Sequence, residues 1–142
     1  MNQGVLSAPE RLLRFLTRLE ADGNDDTIAR QDPRVAERLI RDTGSTLAPE
    51  MVDLYHRLIR APGHVSGTLR MMANWDLEPL ARQLHRIAPL LHLIACENDR
   101  TVPPSEARRL HRLLPQSHFV ALPGLGHLGH EEAPGRFAEL II

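Results

Sequence analysis

The chain has 142 residues, 42% of them hydrophobic and 25% charged, with a formal net charge of -1. That is enough chain to bury a core, in the balance of an ordinary globular protein. The near-neutral charge excludes the basic excess of a general nucleic-acid or membrane-surface binder, and the single cysteine, Cys96, excludes an internal disulfide framework.

The first ninety residues carry helical grammar. Ser7-Ala8-Pro9-Glu10 is a capping box, followed by Leu12, Leu13, Leu16 and Leu19 at helical spacing. The polar run 21–26 breaks that helix. Asp32-Pro33 opens a second, with Val35, Leu39 and Ile40 on one face and Gly44 where a C-terminal cap belongs. Pro49-Glu50 opens a third, with a stripe of Met51, Leu54, Tyr55, Leu58 and Ile59 that Pro62-Gly63 ends. A fourth is expected from Val65 to Trp75, and a short one from Leu77 to Leu84.

After Pro89 the grammar changes. The run Leu90 to Ala95 reads as a buried strand, Pro104 to Leu114 as a helix with Ala107, Leu110, Leu113 and Leu114 inward, and Phe119 to Leu122 as a second strand. A last amphipathic segment starts at Pro134 and carries Phe137, Leu140 and Ile141. Strand, helix, strand, helix is the pattern of a parallel βαβ unit, so the fold class is α/β. Parallel strands are normally buried on both faces of a larger sheet. Two strands alone imply that the rest of the sheet comes from elsewhere, either because the chain is truncated or because it pairs with another polypeptide.

In an open α/β sheet, functional groups gather at the carboxyl ends of the strands. Asp99 follows the first strand within Cys96-Glu97-Asn98-Asp99-Arg100, and His127 follows the second within Pro123-Gly124-Leu125-Gly126-His127. A histidine acting as general base needs a carboxylate on its other ring nitrogen, and Gly124 and Gly126 permit the tight loop that would deliver it. An acid and then a histidine make up the second half of the chain order Ser…Asp…His. Against this stands the plain reading of Asp99 as a turn aspartate bonded to its own backbone, and of His127 as a surface-loop residue. No serine on a Gly-x-Ser-x-Gly elbow occurs in the 142 residues.

The remaining candidates read as structural. Ser66, in Gly63-His64-Val65-Ser66-Gly67, has the wrong spacing for an elbow and fits a helix start. His127 and His130 with Glu131 and Glu132 lack zinc-site order, so no metal is expected; His130 and Glu131 are expected to start the last helix. Gly124-x-Gly126 is too short for a dinucleotide loop, and Cys96 reads as a small buried residue at a strand end. Tyr55, Met71, Met72, Trp75 and Leu128 could line an apolar substrate pocket, though helical spacing equally fits Tyr55, Met71, Met72 and Trp75 as lid or core packing.

Residues 90–142 resemble the C-terminal part of the α/β-hydrolase fold: its last two strands, acid loop, histidine loop and closing helix. Residues 27–88 look like the helical cap of such enzymes, and 1–26 form an atypical N-terminal helix and polar break. The segments Asp42-Thr43-Gly44-Ser45-Thr46-Leu47, Leu54-Tyr55-His56-Arg57-Leu58, Met71-Met72-Ala73-Asn74-Trp75 and Leu122-Pro123-Gly124-Leu125-Gly126-His127-Leu128 are similar to one branch of that family, the accessory proteins of magnesium chelatase in bacteriochlorophyll biosynthesis. The resemblance implies a serine-type hydrolase in which Asp99 is the triad acid and His127 the general base. It implies a small-molecule substrate such as a tetrapyrrole, magnesium chelatase as partner, and no cofactor. The N-terminal half of the sheet, with the nucleophile, is missing from the expected pattern, so the chain alone is expected to be inactive. The alternative is a non-catalytic tetrapyrrole- or chelatase-binding module, for which His56, His64 and His85 are available. No leader and no apolar run long enough to span a bilayer occurs, so a cytoplasmic location is expected.

Overall fold

The structure is a computed structural model that describes residues 32, 34–61, 63–87 and 89–141. The expected helix at Ser7 and the polar break at 21–26 lie outside the described residues. The described residues form two compact units, one from the described part of 1–39 with Ala48–Asn74, the other from Ile40–Leu47 with Trp75–Ile142.

The first unit is helical. Helix α1, Arg34–Asp42, starts where Asp32 Oδ1 accepts the Arg34 N–H at 2.9 Å; that bond first, and then the Arg34 guanidinium, lower the Asp32 pKa, and the last residues of the helix belong to the second unit. Val35 and Ala36 are buried on it. Helix α2, Pro49–Arg60, places proline in the first turn, where a missing N–H costs nothing, and packs on α3, His64–Ala73. Along the expected α2 stripe, Leu54 and Leu58 are exposed while Met51, Tyr55 and Ile59 are half-buried. Helix α3 ends at Ala73, two residues before the expected Trp75. Asn74 ends it, its amide Nδ2 donating to the Arg70 carbonyl at 2.6 Å.

The second unit carries the sheet. After a short helix α4, Glu78–Gln83, and a 3-10 turn, Leu84–Arg86, strand β1 runs His92–Cys96. Strand β2 runs His118–Leu122 and pairs with β1 in parallel, His92 facing His118 and Cys96 facing Leu122. β1 starts two residues later than expected, with Leu90 exposed and the Leu91 carbonyl taking the His118 N–H at 2.7 Å as the ladder opens. The connecting helix α5, Pro104–Leu113, packs on both strands, with Arg108 lying 5.0 Å over the Phe119 ring. Leu113, expected inward, is exposed at the helix end, whereas Ala107, Leu110 and Leu114 are half-buried. Helices α6, Gly129–Glu132, and α7, Pro134–Ile141, close the chain. His130 and Glu131, expected to open the last helix, instead sit on their own turn. Ala133, at φ -144° and ψ 65°, leaves the helical region, which the following proline disfavours for it, and separates the two helices.

The core of this unit is Ile40, Ala95, Leu122 and Leu125. Ile40 joins it because residues 43–46, after α1, lie against the two loops at the strand ends. Gly44 takes φ +85°, and a Cβ there would fall on the Asn98 carbonyl. A Gly44→Ala substitution should therefore lower the unfolding free energy by about 1–3 kcal/mol, from left-handed strain and displaced backbone. A drop in the urea midpoint at unchanged m-value is the expected result; an unaltered midpoint would show that residues 43–46 do not dock there in solution.

Candidate functional site

Both loops begin at the carboxyl ends of parallel strands, and the ladder continues briefly into them. The Glu97 N–H donates to the Leu122 carbonyl at 3.0 Å and the Asn98 N–H to the Leu125 carbonyl at 2.9 Å, so the acid loop and the histidine loop stay paired past the last sheet residue. Asp99 then turns back, its N–H on the Cys96 carbonyl at 3.2 Å. Its Oδ1 accepts the N–H groups of Thr101 and Val102, both at 2.8 Å. Its Oδ2 lies 2.9 Å from His127 Nδ1.

The Asp99 carboxylate thus makes two kinds of contact, backbone turn bonds on one oxygen and the imidazole on the other. Oδ1 serves the turn and fixes the plane of the carboxylate; Oδ2 is left for the imidazole. Because that oxygen is an acceptor, Nδ1 carries the proton, and Nε2 is left with its lone pair. The Asp99 side chain is 13% exposed and that of His127 36%, so the acid is sheltered and the imidazole reaches the surface of the unit. Such an imidazole can take a proton at Nε2 and be stabilised as imidazolium by the carboxylate behind it.

Three residues to which sequence patterns gave no such role hold the histidine loop. Thr43 offers its carbonyl to the Arg100 N–H at 3.1 Å and to the His127 N–H at 3.4 Å, touching the residue after the acid and the base itself. Ser45 Oγ accepts the Leu128 N–H at 2.8 Å, and Ser45 is buried. Glu132 Oε1 accepts the Gly126 N–H at 2.7 Å while Oε2 accepts the Thr46 N–H at 3.2 Å. A Cβ at Gly126 would fall on the Gly44 and Ser45 backbone, so only glycine permits this approach. The sequence signal for these residues was thin: a run of small polar residues after a helix, and an acid five positions beyond a histidine.

The other candidates are placed as follows. Tyr55 and Met72 are half-buried and Met71 is exposed, all in the first unit; Trp75, exposed, and Leu128, half-buried, belong to the second. Met71 and Trp75 are each 52% exposed. Ser66 is the third residue of α3. His64 and His85 are exposed, and His56 has a buried Nε2 with no hydrogen-bond partner among the described residues. His130 faces Glu131 at 3.6 Å. Among the described residues no group of three or more His, Cys, Asp or Glu is placed to hold a metal ion. The Cys96 thiol is pushed up from its usual pKa, first by burial and then by the nearby Asp99 and Glu132 charges, with Arg136 opposing. Among the described residues no helix is long and apolar enough to cross a membrane.

The chain is 40% identical to the magnesium-chelatase 30 kDa subunit of Rhodobacter capsulatus over 105 residues, 74% of this chain and 37% of that protein. It is 35% identical to the epoxide hydrolase EphH of Mycobacterium tuberculosis over 86 residues, 59% of this chain and 40% of that enzyme. The chain therefore spans about two fifths of the length of these curated relatives. A family model described as the alpha/beta hydrolase family matches residues 2–140, nearly the whole sequence, and the chain belongs to that family.

Proposed function

We propose that this chain supplies the acid and the general base of a serine-type α/β-hydrolase site, in a protein that works beside magnesium chelatase in bacteriochlorophyll biosynthesis. Asp99 is the acid and His127 the base. The observation that carries the reading is the 2.9 Å contact between His127 Nδ1 and an Asp99 carboxylate whose other oxygen is already tied to two backbone N–H groups. A carboxylate with one oxygen committed cannot swing away from the imidazole, and general-base catalysis needs that fixity.

In the reaction, His127 Nε2 takes the hydroxyl proton of a serine as its oxygen attacks an ester carbonyl. The resulting imidazolium, stabilised by Asp99, then returns that proton to the departing alkoxide. The serine and the oxyanion donors come from polypeptide outside these 142 residues, since no Gly-x-Ser-x-Gly elbow is among them. Similarity to a magnesium-chelatase subunit supports a tetrapyrrole as the substrate class and the chelatase as partner. Similarity to an epoxide hydrolase supports a second reaction class, in which the same base removes a proton from water for hydrolysis of an epoxide-derived intermediate.

Cys96 is not a replacement nucleophile. Burial and two nearby carboxylates keep its thiol protonated, whereas a reactive cysteine needs the opposite environment.

Three outcomes are expected. The purified chain should hydrolyse p-nitrophenyl esters no faster than buffer; clear turnover that disappears in His127→Ala would show that it contains its own nucleophile. Because this chain carries the acid and base without the nucleophile half of a substrate pocket, titration with protoporphyrin should leave its Soret band unmoved, and a saturable shift would favour a tetrapyrrole-binding module complete within these residues. The pH–rate profile for alkylation of Cys96 should have its midpoint at higher pH in the folded chain than in urea. Because the folded pKa is the raised one, the thiol's contribution to stability is present at lower pH and is lost as pH rises through that value. Coincident midpoints would rule out the buried, anionic setting described for the thiol.

A further inference from the structure

Three consecutive amides run through the histidine loop, and each is held by a partner from outside it. The Gly126 N–H goes to Glu132, the His127 N–H to the Thr43 carbonyl, and the Leu128 N–H to Ser45. Two of these partners come from residues 43–46 and sit on backbone or a neutral hydroxyl. The third is a carboxylate, and bonds to ionised acceptors are about twice as strong as neutral ones.

Glu132 is also the only one of the three that grips both sides of the contact. Its Oε1 holds Gly126, the residue before His127, and its Oε2 holds Thr46, on the segment that carries Ser45 and Thr43. The two N–H groups belong to strands of backbone that approach too closely for a Cβ at Gly126. A bidentate acceptor is the group that suits two converging donors. Without it, both amides would lose their acceptor, and the segment that also binds the Arg100 and His127 N–H groups would lose one tie to the loop.

We propose that Glu132 is a positioning residue for the base: by clamping Gly126 to Thr46 it sets the imidazole of His127 against Asp99. The proposal rests on the reading of His127 and Asp99 as base and acid, and deepens it. Glu132 touches neither ring nor carboxylate, and acts only through the backbone on either side of the loop.

The substitution that probes this chemistry is Glu132→Gln, because an amide presents one oxygen and one NH2 group. It can accept from one of the two N–H groups and must face the other with a donor. Glu132→Ala removes both acceptors. The test is nuclear magnetic resonance on the labelled full chain, following the His127 Nδ1 proton and the hydrogen exchange of the Gly126 and Thr46 amides. In Glu132→Ala both amides should exchange at least about tenfold faster, and the Nδ1 proton should broaden or vanish as its bond to Asp99 opens. In Glu132→Gln one amide should recover and the other stay fast, with the Nδ1 proton exchanging at an intermediate rate.

A Nδ1 proton as sharp in Glu132→Ala as in the wild type overturns the proposal, even where the amides exchange faster, because Glu132 would then hold the loop and not the ring. Should Glu132→Ala fail to fold, Glu132→Gln decides: wild-type behaviour of all three signals overturns the proposal. A wild-type chain that shows no Nδ1 proton at any temperature counts against the His127–Asp99 pair itself, a separate failure that removes what Glu132 was proposed to position.

Discussion

Residues 43–46 touch both functional loops at distances that leave no slack. Gly44 lies with its backbone on the Asn98 carbonyl, one residue before the acid. Gly126 lies on the backbone of Gly44 and Ser45, one residue before the base. Two glycines meeting in this way bring three stretches of main chain closer than any side chain would allow. The polar contacts that residues 43–46 make follow from that approach. It puts the Thr43 carbonyl within reach of amides on both loops, Ser45 Oγ under the Leu128 N–H, and Thr46 beside Glu132. Each such bond contributes on the order of 1 kcal/mol. Bonds spanning 83 and 86 residues must also offset the entropy of closing a long loop, which rises only slowly with length.

The sheet alone would not achieve this. Parallel pairing fixes Cys96 opposite Leu122 and so brings the two loop origins side by side. Beyond the last rung, the chain could leave in many directions. The extra bonds from Glu97 and Asn98 carry the pairing forward, and Asp99 then commits one oxygen to the turn at Thr101 and Val102. Asp99 is oriented by its own loop, whereas His127 is oriented by residues distant in sequence.

That difference explains what could be read in the sequence. The placement of Asp99 and His127 just past two strands was legible because each follows a short apolar run, and both strands and the helix between them follow local periodicity and proline placement. The ends of elements were less legible. Asn74 stops α3 early through a side-chain bond, and Ala133 splits the last helical stretch because Pro134 follows it; both are one-residue effects beneath a periodic pattern. Leu113 was assigned inward by spacing alone, although it falls in the last turn of α5, past the sheet it would cover. Thr43, Ser45 and Glu132 were not legible. A serine after a helix and a glutamate on a short turn each have an adequate local explanation as a cap or a helix-end charge. Their actual partners lie where no local pattern can point. Gly44 was placed at a helix C-terminus for its conformation, and the structure gives it a second reason in the space that its missing side chain leaves for Asn98.

The same division bears on how a hydrolase site can be carried by residues from well-separated parts of a chain. The Asp99 carboxylate and the His127 imidazole are held by two parallel strands, the segment 43–46 and the Glu132 carboxylate, all within a single compact unit. None of those supports requires the nucleophile. The imidazole therefore does not wait for a serine to acquire its orientation; its Nδ1 is already taken by Asp99, and only Nε2 remains to be used. For a reaction in which the base must be aligned before the proton moves, prior alignment lowers the reorganisation left for the chemical step. On this physical picture, the partner strands and their nucleophile would meet a base that is already set, and the cost of setting it would have been met by the folding of residues 43–46 against the two loops.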